Sequence, residues 1–447
     1  MTPPQQSILI AGGIVVDPSQ EIHERLDVLI ERGKIAQVAR TIPRTRAERV
    51  IDAAGLHVVP GFVDLHAHLR DPGGAASETM ETGTDAAAAG GFTTVFAMPN
   101  TNPVCDSPVV VRYVLDRAEQ LGRVRVVPVA AVTRGQSGEH LADLGALKQA
   151  GAMAFSDDGK PLASAQVMRR ALQYAHTLSV PVFDHCEDLS LTGDGVMHEG
   201  EVSLRLGLKG IPRSSEATAV ARDAALALET GGRLHICHVS NRDSVAVIRE
   251  FKARGAPISA EVTPHHLTLT DDSVAEGEGY RTSAKMKPPL CEASDRKALL
   301  EAVADGTIDC IATDHAPHSP ASKDTLFDAA PFGIIGFESA ISVLYTAFVA
   351  PGVWALDFLI RRLTIDPARV VGADWGSLRP GAGADVALLQ LGRESVFDER
   401  SLRSRSRNSP WLGKKMAARV VGTLAAGVDA FADPSIFPQG LFASRSD

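Results

Sequence analysis

The 447-residue chain is 45% hydrophobic with a formal net charge of −9, enough apolar material for one large core and a smaller companion, and too acidic for a nucleic-acid or anionic-membrane surface. Its five cysteines, Cys105, Cys186, Cys237, Cys291 and Cys310, are scattered and never spaced C-x-x-C. That pattern indicates neither a disulfide framework nor a thiolate metal site, and it fits a reducing, cytoplasmic compartment with a small molecule as the expected partner. Met1 to Gln6 lack the basic start and apolar core of a signal peptide, and the one long apolar region, 340–356, is broken by Pro351-Gly352, so no membrane span is expected.

In chain order, the β-branched runs 7–10, 13–16 and 27–30 are separated by Gly, Asp-Pro and charged turns and predict antiparallel strands. From about residue 57 a unit of apolar strand, loop and amphipathic helix repeats. It predicts eight strands, over 58–65, 93–98, 124–131, 152–155, 181–183, 233–237, 257–262 and 308–312. The helices between them carry punctuation: Asp106-Ser107-Pro108 offers a cap and a first-turn proline, Val111, Val114 and Ala118 an apolar stripe, and Gly122 a stop. Eight such units predict an α/β fold, a (β/α)8 TIM barrel over 57–372. After about 372 strand-like segments return, at 384–389 and 418–423, so 1–56 and 373–447 together predict a composite small β-sandwich domain that the barrel interrupts.

Where the first barrel strand stops, the sequence turns to Asp64-Leu65-His66-Ala67-His68-Leu69-Arg70. Residues i and i+2 of a strand point to one side, so His66 and His68 present both imidazoles to one point, with Asp64 placed to orient a ring or to sit in a polar core. Catalytic groups of such barrels sit at the C-terminal ends of the strands. There the chain places Asn100, Asp157 and Asp158, His185, His238, His265 and His266, and Asp314, His315 and His318. Four histidines and two carboxylates on one rim supply a site for two metal ions.

The segments 64–70, Met98-Pro99-Asn100-Thr101-Asn102-Pro103, Phe155-Ser156-Asp157-Asp158-Gly159, Ala312-Thr313-Asp314-His315-Ala316-Pro317-His318, the loop 195–201 and Asn408-Ser409-Pro410-Trp411-Leu412-Gly413 together resemble the dihydroorotases of the longer, bacterial type (type I), within the amidohydrolase superfamily. The resemblance covers nearly the whole chain. It implies the reversible cyclisation of N-carbamoyl-L-aspartate to L-dihydroorotate in pyrimidine biosynthesis, with two zinc ions and a bridging hydroxide. It makes His66, His68, His185 and His238 metal ligands, Asp158 the bridging carboxylate, and Asp314 a ligand that also shuttles the proton. Arg70, Asn100 and His318 become substrate contacts, and Pro331-Phe332-Gly333 resembles the family's backbone contact to the ring, through Gly333. A homo-oligomer and a complex with aspartate transcarbamoylase belong to the same expectation.

Where relatives commonly read Asn-Pro-Pro-Leu-Arg, this chain reads Lys287-Pro288-Pro289-Leu290-Cys291. Lys287 either reaches an acidic group of the site or is a solvated loop lysine, since a point charge does not reproduce an amide's paired donor and acceptor. Many amidohydrolases bridge their metals with a carboxylated lysine; here Asp158 already supplies a carboxylate, leaving Lys160 solvated beyond Gly159 and Asp157 as a supporting or loop-capping group. The alternatives are a hydantoinase-like or allantoinase-like cyclic amidase, which would not require the Arg70 and Asn100 clamp, and a non-catalytic partner of aspartate transcarbamoylase, which would not need the complete ligand set.

Overall fold

Eight parallel strands follow the repeating apolar runs, and in the computed structural model, which describes residues 6–277 and 280–441, they stand side by side in chain order. We number them β1 (Phe62–Ala67), β2 (Phe92–Ala97), β3 (Arg125–Ala130), β4 (Ala154–Phe155), β5 (Val182–Asp184), β6 (Leu234–Ile236), β7 (Ile258–Val262) and β8 (Cys310–Ile311). The ring closes just beyond β8, where the His68 N–H donates to the His315 carbonyl at 2.8 Å. Every residue of β1 and β2 is buried, as expected of strands covered on both faces. Val63, Leu65, Phe96, Val127, Val129, Ala154, Phe183, Cys237 and Cys310 meet in one cluster fed from around the ring, with Val371 joining it. The surrounding helices pack into a second, larger cluster. The helix Pro108–Leu121 begins and ends where the punctuation predicts, although Ser107 makes no side-chain cap bond.

The other sheet also has eight strands. Its main path runs Val428–Ala432, Lys415–Ala425, Val386–Val396, His57–Pro60, Ile8–Asp17, Ile22–Glu31, Lys34–Ala39, and Arg49–Asp52 pairs with Ile8–Asp17 off that path. The runs 7–10 and 13–16 form one strand rather than two; its register shifts between Ile10 and Gly13, where its parallel partner changes from Arg49–Asp52 to His57–Pro60. Residues from both ends of the chain, Ile10, Val28, Ile51 and Leu56 with Val386, Leu388, Val421 and Leu424, share its core.

The run predicted as a single strand over 58–65 is two strands in two sheets. His57–Pro60 pairs with Ile8–Asp17 and Val386–Val396, and β1 pairs with β2. The switch takes one residue: the Gly61 N–H bonds the Asp385 carbonyl and the next N–H, of Phe62, bonds Gly91. A Cβ at Gly61 would lie 2.2 Å from Thr93 Oγ1, so only glycine lets the two sheets approach there. The apolar region 340–356 contains the short helix Ala340–Leu344, which runs into a π turn over Tyr345–Val349. Among the described residues no helix is long and apolar enough to cross a membrane. Met1 to Gln5, the leading part of the N-terminal reading, lie outside the described residues.

A candidate metal centre at the strand ends

Six side chains converge at the C-terminal rim. β1 supplies His66 and leads to His68; the segments after β4, β5, β6 and β8 supply Asp158, His185, His238 and Asp314, and all six are buried. Asp158 is in the middle. Its Oδ1 lies 3.3 Å from His66 Nε2 and 3.7 Å from both His185 Nδ1 and His238 Nε2, while its Oδ2 lies 3.5 Å from His68 Nε2. Asp314 Oδ1 stands on one side, 3.2 Å from His68 Nε2 and 3.7 Å from His66 Nε2. Three non-glycine residues here hold left-handed backbone, His238 at φ 33°, Asp314 at φ 46° and Arg70 at φ 55°. Each such conformation costs about 1–3 kcal/mol and persists only where its surroundings over-determine it.

The donor set fits metal cations better than it fits itself. His66 Nε2 and Asp158 Oδ1 are buried without a hydrogen-bond partner, and His185 Nδ1 faces His238 Nε2 at 2.9 Å, where only one of the two nitrogens can donate. Burial opposes charge on both His66 and Asp158. Even so, Asp158 raises the His66 pKa well above its ordinary value, and His66 foremost holds the Asp158 carboxyl well below its own. The negative potential that draws a proton to that point also favours a metal cation. Imidazole nitrogens and carboxylate oxygens suit zinc and related divalent ions. The atoms fall into two overlapping groups, His66 with His68 and Asp314, and His66 with Asp158 and His238.

The histidines are held from behind by residues that sequence reasoning did not single out. Glu261 on β7 meets His66 Nδ1 at 2.9 Å and, through its other oxygen, His235 Nε2 at 3.0 Å. Glu187 meets His185 Nε2 at 3.3 Å. Such partners fix the ring and its tautomer so that the remaining nitrogen faces the site. A signal for Glu261 existed, since a carboxylate inside an otherwise apolar central strand must have a partner. Asp64 takes the polar-core role: it accepts from the backbone and hydroxyl of Thr313 and from the His66 N–H, tying β1 to the end of β8, and burial pushes its carboxyl up to about 7. Asp157 accepts from the backbone and hydroxyl of Thr133, and Lys160 is exposed.

The remaining predicted residues line the other side. Asn100 Oδ1 lies 2.9 Å from His68 Nδ1, which leaves its NH2 group for another partner. Arg70 Nε donates to the Pro317 carbonyl at 3.3 Å; burial lowers its guanidinium pKa, and Asp314 and Asp158 oppose that effect. His318 is kept neutral, its pKa pushed down to about 3 by burial and by Arg70, and its Nε2–H donates to the Phe332 carbonyl at 2.6 Å. The Gly333 N–H bonds the Lys285 carbonyl at 2.9 Å and its own carbonyl accepts from Asn408 Nδ2 at 3.1 Å, so the N–H is already used within the protein. Lys287 reaches an acid: its Nζ lies 3.1 Å from Glu187 Oε1. Two further lysines hold the loop after β8 by its backbone. Lys323 Nζ donates to the carbonyls of Pro331 and Thr282 at 2.7 and 3.0 Å, and Lys285 Nζ to those of Phe327 and Asp328 at 2.7 and 3.0 Å.

Comparison with known proteins adds to this geometry. The family described as Dihydro-orotase-like matches residues 55–244. A dihydroorotase of Anaeromyxobacter dehalogenans is 51% identical over 420 residues, 94% of this chain and 96% of the relative. That of Pelotomaculum thermopropionicum is 50% identical, over 94% of this chain and 97% of its own. Among solved structures, an L-hydantoinase (dihydropyrimidinase) from Arthrobacter aurescens superposes with a TM-score of 0.85 at 24% identity, covering 96% of both chains, a likeness of fold.

Proposed function

The chain belongs to the dihydroorotase family, and on that premise we propose how its residues divide the work. It is a metal-dependent cyclic amidohydrolase that interconverts N-carbamoyl-L-aspartate and L-dihydroorotate in pyrimidine biosynthesis. The proposal is that the metal is zinc, that two ions bind, and that His66, His68 and Asp314 hold one while His185 and His238 hold the other, with Asp158 shared. The observation that carries it is the position of Asp158, central to four imidazoles that each turn a nitrogen toward it at 3.3–3.7 Å. When bound, the ions supply positive charge that polarises the substrate carbonyl and makes water available as a nucleophile near neutral pH.

Asp314 is the proton carrier. In cyclisation it accepts the proton of the ureido nitrogen as that nitrogen bonds the side-chain carboxyl carbon and water departs; in hydrolysis it takes a proton from the attacking water and returns it to the leaving ring nitrogen. Its place on one side of the cluster, against His68 rather than between all four rings, supports that double use. Arg70, with the Asn100 amide group, clamps the substrate carboxylate that does not react. His318, neutral and anchored to Phe332, walls the opposite side, and Gly333 lets the chain pass close because a Cβ there would lie 2.6 Å from the Ala316 Cβ. Lys287 acts on this site through Glu187, the carboxylate that also holds His185.

We propose further that 57–372 is the catalytic unit and 1–56 with 373–447 its companion, supported by their largely separate apolar clusters. We propose as well a cytoplasmic homo-oligomer that associates with aspartate transcarbamoylase. The test of the site is an assay of carbamoyl aspartate cyclisation with metal analysis of the same preparation. Activity that tracks the two zinc ions lost on His66→Ala and His185→Ala is expected; full turnover in metal-free protein overturns the assignment.

A further inference from the structure

The loop 195–201 buries His198 completely, yet neither of its ring nitrogens has a hydrogen-bond partner. A neutral imidazole carries one donor and one acceptor, and each one buried without a partner is destabilising. The Cys291 thiol and the Asp295 carboxylate stand against it, and one donor atom from each of the three lies within 4.8 Å of the others. They come from separate segments: the short strand Met197–His198, the turn that follows Pro288-Pro289, and the first turn of the helix Ala293–Asp305. We propose that His198, Cys291 and Asp295 bind a divalent ion of the zinc class, distinct from the catalytic pair and structural in role.

Each donor has capacity to spare. Cys291 Sγ makes only long contacts, 3.5 Å to the Pro289 carbonyl and 3.8 Å to Ser240 Oγ. Three N–H groups reach Asp295, from Arg213 Nε shared between both oxygens and from the backbones of Arg242 and Glu292. A carboxylate offers about four lone-pair sites, and one of them is freed for an ion when the divided Arg213 N–H is drawn to a single oxygen. Charge favours a cation as well: a thiolate together with the Glu292 and Asp295 carboxylates exceeds by one the guanidiniums beside them, Arg213, which pairs with both, and Arg242, 3.9 Å from each. Burial raises the free thiol's pKa, but a coordinating thiol is deprotonated outright. An adjoining cavity of about 20 Å3, lined in part by His198, Arg213, Ser240, Asn241 and Cys291, has room for one water molecule as a fourth ligand. This grouping is not legible in the sequence, because its three residues share no motif and lie on different elements.

A buried water would also satisfy His198, but it would leave the thiol protonated, and cobalt distinguishes the two. Full-length protein stripped by a chelator and reloaded with cobalt(II) is expected to show thiolate-to-cobalt charge-transfer absorption in the near ultraviolet, a signal the nitrogen and oxygen donors of the catalytic pair cannot give. Cys291→Ser is expected to lose that band and one equivalent of metal, and to keep the wild-type turnover. Cys186→Ser and Cys237→Ser, nearest the catalytic histidines, are expected to keep the band. The idea is overturned if wild type shows no band, which needs no variant to fold, or if the band survives in Cys291→Ser. Equal metal content in wild type and His198→Asn overturns it as well. Because the band does not depend on turnover, its absence would leave the catalytic reading untouched.

Discussion

The two sides of the active site are built by different means. On the metal side, His66, His68, Asp158, His185, His238 and Asp314 stand on or just beyond five of the eight strands of a closed ring, and the imidazoles are braced from behind by Glu261, Glu187 and Asn100. On the substrate side, residues 285–333 are held by lysine and amide groups bonded to backbone carbonyls, those of Phe327, Asp328, Pro331, Ala316 and Gly333. A strand end is positioned by covalent geometry and sheet register. A loop is positioned only by whatever its carbonyls find. Chemistry that tolerates little displacement is therefore on the first side, and the parts that distinguish one substrate from another are on the second.

Breaking the metal side gives the largest expected effect. Asp158→Ala removes the shared carboxylate and is expected to abolish metal retention at the catalytic pair and activity with it, while Lys160→Ala, altering an exposed side chain, stays near wild type and reconstitution proceeds without bicarbonate. Metal analysis decides this, and a bicarbonate requirement would shift the bridge to Lys160. Arg70→Ala is next: loss of a charge-assisted contact in a partly buried site costs about 2–5 kcal/mol in kcat/KM, with metal content unchanged, and normal turnover of dihydroorotate by this variant would remove the clamp. Glu261→Gln tests the bracing, since loss of such a partner lowers metal affinity about 10–100-fold; chelator titration against wild type reads it.

The substrate side is expected to yield smaller changes. Lys287→Asn removes a partly exposed ammonium from Glu187 and is expected to change KM by less than about tenfold, near 1 kcal/mol, with kcat almost constant; a collapse of kcat instead would make Lys287 part of the catalytic machinery. Lys323 gives a pH signature. Burial, then Lys285, lowers its pKa to about 7, against about 10.4 in an unfolded chain. Between those values the unfolded state binds more protons, so stability rises with pH across the window and is lost as pH falls toward 7. Lys323→Met lacks that dependence, and urea midpoints at pH 7 and pH 9 should differ less in the variant than in wild type.

The same contrast explains what was legible beforehand. The eight strands and the six rim residues were readable because a repeating βα unit dictates where chemistry must sit, and the ligand types appeared there one strand after another. Glu261 was passed over because a mid-strand carboxylate identifies itself only through its partner, and His66 is far away in sequence. Lys287 remained two-sided for the same reason: the acid it meets, Glu187, belongs to another strand end. Periodicity also could not reveal that Val58 and Val63 lie in different sheets, since both sit in one apolar run and the division depends on how closely Gly61 approaches Thr93.

That one-residue passage at Gly61 has a consequence for how the protein is made. The strand His57–Pro60 gains its inner neighbour, Ile8–Asp17, early in synthesis, but its other edge pairs with Val386–Leu389, which leaves the ribosome more than three hundred residues later. At about 5–20 residues per second, that interval lasts roughly 15–65 s. Throughout it, an apolar strand edge directly upstream of His66 has no partner, the condition under which strands pair with the wrong chain. Recovery of active enzyme is thus expected to depend on the last strands translated, which belong to the companion sheet rather than to the barrel.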